Sequence, residues 1–108
     1  GTGFPFKDPS DLPAFLEGLD RVLREAAGVR RAGAAAIDLA YVADGRFDAF
    51  WEYRLNPWDF AAGILLITEA GGVVERLKGG DVTLHGGSVL AASSRPLLDA
   101  LRALVLGR

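Results

Sequence analysis

Two periodicities alternate along the chain. Leu12, Phe15, Leu16, Leu19, Val22, Leu23 and Ala26 recur at steps of three and four, which predicts a helix packed through one apolar stripe. Ser10 or Asp11 would cap it, Pro13 falls in its first turn, and Gly28 ends it. Phe47, Ala49, Trp51 and Tyr53 alternate instead with Asp48, Phe50, Glu52 and Arg54, a period of two that predicts a strand whose second, more polar face carries Glu52. Before that strand, Gly1 to Phe6 reads as a strand end, and Lys7 to Ser10 as a loop. Val29 to Ala32 is a candidate strand interrupted by two arginines, and Gly33-Ala34-Ala35-Ala36 opens a helix that reaches Asp44 and closes at Gly45. After it, Pro57 to about Ala70 is apolar almost all round from Phe60 to Ile67, so this helix should lie buried between layers until Gly71-Gly72 stops it.

The remaining pattern is short strands and one more helix. Val73 to Leu77 and Val82 to Leu84 are expected to pair through Lys78-Gly79-Gly80-Asp81, and Ser88 to Ala92 forms another strand. A last helix starts at Ser94, has Pro96 in its first turn, and would bury Leu97, Leu98, Leu101, Leu104 and Val105. A hairpin cannot be parallel, so the succession predicts a layered α/β/α domain with a mixed sheet.

One helix start carries candidate chemistry. In Asn56-Pro57-Trp58-Asp59, Asn56 suits the N-cap and Pro57 the first helical position, where its missing N–H costs nothing. Asp59 then lies in the first turn, where the helix N-terminus favours an anion by ~0.3–1 kcal/mol and keeps the carboxylate in the form a hard cation needs. From these residues alone Asp59 is either a complement to the helix dipole or a metal ligand.

Composition narrows the classes. The chain has 108 residues, 50% hydrophobic and 24% charged, which is enough for one domain with a modest core. Its net charge of −2 and interspersed charges argue against a nucleic-acid surface. The longest uncharged apolar run, Phe60 to Thr68, is far too short to span a bilayer, so neither nucleic acid nor membrane is an expected partner. Without cysteine, and with His85 as the one histidine, a metal site would have to be built from oxygen ligands. No glycine cluster follows the phosphate-loop or dinucleotide spacing. The absence of methionine and the opening on Gly1 lead to the expectation that something upstream is missing. Lack of glutamine and a single asparagine suggest a thermophilic source, although GC-rich coding gives a similar bias.

Five ordered segments carry a resemblance. They are Arg30-Arg31-Ala32-Gly33-Ala34-Ala35-Ala36-Ile37-Asp38-Leu39, Tyr41 to Asp48, Trp51-Glu52, Pro57-Trp58-Asp59-Phe60-Ala61-Ala62-Gly63 and Glu69-Ala70-Gly71-Gly72, with Thr2-Gly3-Phe4-Pro5 ahead of them. In order and spacing they resemble the inositol monophosphatase family, whose Trp-Asp-x-Ala-Ala-Gly element is one of its signatures. The resemblance implies a magnesium-dependent, lithium-sensitive phosphomonoesterase, cytoplasmic, in which clustered Mg²⁺ ions hold the phosphate and activate a water. Relatives act on fructose bisphosphate or nucleotide bisphosphates. By position, the resemblance makes Asp59 a metal ligand, places the backbone of Gly33, Ala34 and Ala35 in the substrate pocket, and gives Glu52 hydrogen bonds from substrate hydroxyls. Glu52 is otherwise a solvent-facing acid of its strand. Arg30 resembles a family arginine near the pocket; structurally it would equally pair with Asp38 or Asp48.

Two departures bear on the substrate. Ala34 stands where the family often has Ser or Thr, and the position of Asn56 varies with substrate class. The resemblance also implies further elements that this chain lacks: a metal-binding glutamate, an Asp-Pro-x-Asp-Gly-Thr segment, and an acidic loop that positions the attacking water. The expectation is therefore a C-terminal half, inactive without an N-terminal half, whose substrate is a small phosphate monoester, inositol monophosphate first among them. A half with an uncovered apolar face should also form homo-oligomers. The alternatives are a stand-alone binding or assembly module and a domain that senses sugar phosphates without hydrolysing them.

Overall fold

A computed structural model describes residues 1–6, 8–82 and 85–108. Helix α1 (Leu12–Glu25) follows a 3₁₀ turn at Pro9–Asp11 that is capped by Asp8, whose side chain accepts from the Ser10 N–H. Asp11 stands at the N-cap of α1, as expected, but its side chain makes no capping hydrogen bond; Asp8 caps the turn before it. Helix α2 (Ala35–Ala43) begins after Gly33, strand β1 covers Ala49–Leu55, and helix α3 covers Pro57–Glu69. Strands β2 (Val73–Glu75) and β3 (Gly87–Ala92) and helix α4 (Arg95–Leu106) complete the fold. Among the described residues no helix is long and apolar enough to cross a membrane.

The sheet has the order β1-β3-β2, and both ladders are antiparallel. Among the described residues its mixed character comes from an isolated parallel bridge between Thr2 and Trp51. The expected pairing of Val73–Leu77 with Val82–Leu84 is not what organises it: β2 pairs with β3, Val82 lies outside any strand, and Thr83 and Leu84 lie outside the described residues. Val29 to Ala32 forms no strand; it meets the neighbouring segment through a bond from the Thr2 N–H to the Arg30 carbonyl.

Helices cover both faces of the sheet, so the side chains of each strand enter two cores in alternation. Trp51, Leu90 and Ala92 meet Phe15 and Val22 of α1 and Leu98 and Val105 of α4. Phe50, Val89 and Ala91 meet Leu39 and Val42 of α2 and Phe60 and Ile67 of α3. This corrects the expected polar second face of β1: Phe50 is fully buried, and only Glu52 and Arg54, nearer the strand end, remain polar there. Burying each such large apolar side chain contributes roughly 1.5–3 kcal/mol.

Close helix approach depends on two glycines. A Cβ on Gly63 would lie 2.6 Å from Leu39 Cβ, and one on Gly18 would lie 2.9 Å from the Val105 carbonyl oxygen. These fix the α2–α3 and α1–α4 contacts. The expectation that α3 is buried all round is also corrected: Phe60, Gly63 and Ile67 face inward, while Trp58, Leu65 and Leu66 are exposed on its outer flank, and Ile37 of α2 is likewise exposed. Leu12, Leu16 and Leu23 are similarly exposed on α1, whose inward stripe is Phe15, Gly18 and Val22.

Candidate functional site

The start of α2, the start of α3 and the end of β1 converge with the segment Thr2–Phe6 on a cavity of about 390 Å³. Asn56 has the extended backbone of an N-cap (φ −84°, ψ 157°), Pro57 opens α3, and Asp59 is at the third helical position. There Asp59 Oδ2 accepts from the Asn56 N–H at 2.9 Å, half of a capping box. The cap occupies one carboxylate oxygen of Asp59 and leaves the other outside that hydrogen bond.

Glu52 reaches the same cavity because β1 loses its regular register between Glu52 and Leu55, just where the strand runs out toward α3. Its carboxylate lies directly over Gly3: a Cβ there would be 1.8 Å from Glu52 Oε1. Gly33 has φ +90°, a left-handed conformation that glycine adopts without strain, and this turn leads into the α2 start at Ala34 and Ala35. Behind them Asp38 is 1% exposed and its Oδ1 has no hydrogen-bond partner. Burial pushes its carboxyl pKa above the ordinary range, and nearby positive charge, including Arg31, opposes the shift.

Five of the six residues singled out in the sequence line this cavity: Gly33, Ala34, Ala35, Glu52 and Asp59. Arg30 does not. Arg30 lies in a separate groove beside α1 and α4 and donates to its neighbour's carbonyl, Val29 O, at 3.2 Å. Arg31 takes the cavity-side position instead. Gly3 and Asp38 were not singled out as cavity residues, because a glycine and an acid in a helix carry no mark of what lies opposite them.

The oxygen donors suit a hard cation, yet no three His, Cys, Asp or Glu side chains among the described residues are grouped to hold one. Asp59 can serve as one arm of a Mg²⁺ site, not as the whole of it, because Mg²⁺ dehydrates reluctantly and needs several anionic oxygens.

A layered α/β fold with a carboxylate at the mouth of a Trp-Asp-x-Ala-Ala-Gly helix is matched by the sequence pattern of the inositol monophosphatase family over residues 1–106. The chain belongs to that family. A Pseudomonas aeruginosa protein named Nus factor SuhB is 48% identical over 97 residues, covering 88% of this chain and 36% of the relative. An inositol-1-monophosphatase of Mesorhizobium japonicum is 50% identical over 105 residues, covering 94% of this chain and 40% of the relative. The crystal structure of the suhB extragenic suppressor protein from Bartonella henselae superimposes with a TM-score of 0.84 at 43% identity, covering 95% of this chain and 39% of that one. The chain thus spans about two fifths of the length of the relatives it matches, and this coverage overturns the expectation of a C-terminal half.

Proposed function

We propose that this chain is one part of a magnesium-dependent phosphomonoesterase that hydrolyses inositol monophosphate, and that it is inactive by itself. The observation that carries the reading is the cavity that unites Asp59, Glu52 and the Gly33–Ala35 backbone. Within it Asp59 would bind Mg²⁺, Glu52 would accept hydrogen bonds from ring hydroxyls, and the backbone at Gly33, Ala34 and Ala35 would line the substrate. When bound, the metal would activate water and neutralise the leaving oxygen. The remaining metal and phosphate ligands would come from the part of the protein outside these residues. Relatives named inositol-1-monophosphatase support this substrate, and fructose or nucleotide bisphosphates are the alternatives.

The exposed flank of Trp58, Leu65 and Leu66 supports incompleteness as well. Helices apolar on all sides are buried on both when their partners are present. A second reading, a binding or assembly module that forms homo-oligomers through this flank, is supported by the same exposure and by relatives named as Nus factors.

The test is hydrolysis of inositol 1-phosphate with Mg²⁺ by this chain and by the longer protein that contains it. The expected result is no turnover by the chain, turnover by the longer protein, and loss of that turnover in Asp59→Asn. Hydrolysis by the chain alone would overturn the incompleteness, and an inactive longer protein would overturn the phosphatase reading in favour of assembly.

A further inference from the structure

Gly3 lies beneath Glu52 with no room between them for a side chain. A Cβ at this position would fall inside the Glu52 carboxyl group, 2.5 Å from Cδ, and the three nearest atoms it would meet all belong to Glu52. Backbone freedom is not what calls for glycine here: unlike Gly33, Gly3 has no positive φ, so alanine would suit its conformation. The glycine is buried, and what covers it on that side is the Glu52 carboxylate.

The backbone that carries Gly3 is held in register with β1. Thr2, fully buried, forms the parallel bridge to Trp51, the residue before Glu52. Its N–H donates to the Arg30 carbonyl at 3.0 Å and its Oγ1 to the Trp51 carbonyl at 2.8 Å, while the Trp51 N–H donates to the Gly1 carbonyl at 3.2 Å. On the other side of Gly3, Arg54 of the same strand reaches Asp8 at 3.0 Å and donates to Asp11. A methyl group at position 3 would therefore turn the Glu52 side chain aside, by rotation about its single bonds, before it moved a backbone tied at both ends. The cost falls on the orientation of one carboxylate rather than on the fold.

That orientation matters because the carboxylate is an acceptor on the wall of the cavity, and where its oxygens stand decides which hydroxyls can donate to them. We infer that Gly3 is a positioning residue that sets the Glu52 carboxylate and thereby the selectivity of the cavity for phosphate esters of polyols over esters of simple alcohols. The inference rests on the phosphate-ester reading above and adds to it the residue on which hydroxyl recognition depends. Gly3 acts through Glu52.

The test uses Gly3→Ala in this chain and in the longer protein that contains it. In the chain, the ¹³C resonance of the Glu52 side-chain carboxyl, assigned by its loss in Glu52→Ala, should shift while the melting temperature stays close to that of the parent. In the longer protein, kcat/KM with Mg²⁺ is measured for myo-inositol 1-phosphate and for ethyl phosphate, whose alcohol has no further hydroxyl. Gly3→Ala should lower the ratio of the two roughly tenfold, the factor that one misplaced charge-assisted hydrogen bond supplies, and chiefly through KM for the inositol ester. Glu52→Ala should lower the ratio by as much, and adding Gly3→Ala to it should lower it no further. An unmoved Glu52 resonance, an unfolded Gly3→Ala chain, an unchanged ratio, or a loss that persists in the Glu52→Ala background would overturn the role of Gly3 alone. A parent protein that hydrolyses neither ester would overturn the phosphate-ester reading and this inference with it.

Discussion

Asp59 caps α3 through one oxygen and is proposed to bind metal through the other, and substitutions can part the two roles. Asp59→Ala removes the acceptor for the Asn56 N–H and should lower stability by about 1 kcal/mol, the usual worth of a cap. Asp59→Asn keeps an acceptor oxygen and loses only the interaction with the helix N-terminus, ~0.3–1 kcal/mol, so it should remain folded while losing any metal affinity. Chemical denaturation of both variants measures the difference. Asp38 behaves oppositely. Its folded-state pKa is raised, so the folded protein holds the proton more tightly than the unfolded chain, and stability from this group is gained as pH falls and lost as pH rises through the folded value. Asp38→Asn should consequently raise the melting temperature at pH 7 and have progressively less effect in acid. A variant less stable than the parent at pH 7 would mean that the ionised carboxylate is compensated in the fold.

Elements with local signals were legible, and those defined by partners were not. Helix α3 was readable from Asn56 and Pro57 at one end and Gly71-Gly72 at the other, since caps act through neighbouring backbone. The two-sided burial of β1 was not, because Phe50 between Asp48 and Glu52 reads as an exception to a polar face until a second helical layer is placed over it. The same blindness to partners put Arg30 rather than Arg31 in the site. It also hid the need for small residues between helices, which leads to a prediction. Gly63→Ala places a methyl against Leu39 Cβ, an atom fixed to its own helix, so α2 and α3 must separate. The expected cost is ~1–3 kcal/mol of stability, with Gly71→Ala, strained by φ but facing open space, as the comparison that isolates packing from conformation.

Across the molecule, the far side from the cavity is tied by charge. Glu75 of β2 accepts hydrogen bonds from Arg95 and, at 2.8 Å, from Arg102 of α4, and these hold its pKa below the usual glutamate range. A depressed folded-state pKa gives stability that is present above the unfolded value and lost as pH falls through the folded one. Acid titration should therefore loosen the β2–α4 contact, and Glu75→Gln should flatten that part of the stability profile while leaving neutral-pH ligand binding unchanged.

The central place of β3 has a further consequence. Val89, Leu90, Ala91 and Ala92 are each fully buried, Leu90, Ala91 and Ala92 pair with both neighbouring strands, and together the four supply atoms to both cores. Their amide protons should be the slowest to exchange with solvent, released only when the whole chain unfolds, while those of the Thr2–Phe6 segment escape through small local openings. The cavity wall can then breathe at little thermodynamic risk, because the strand that keeps the two cores together takes no part in forming it.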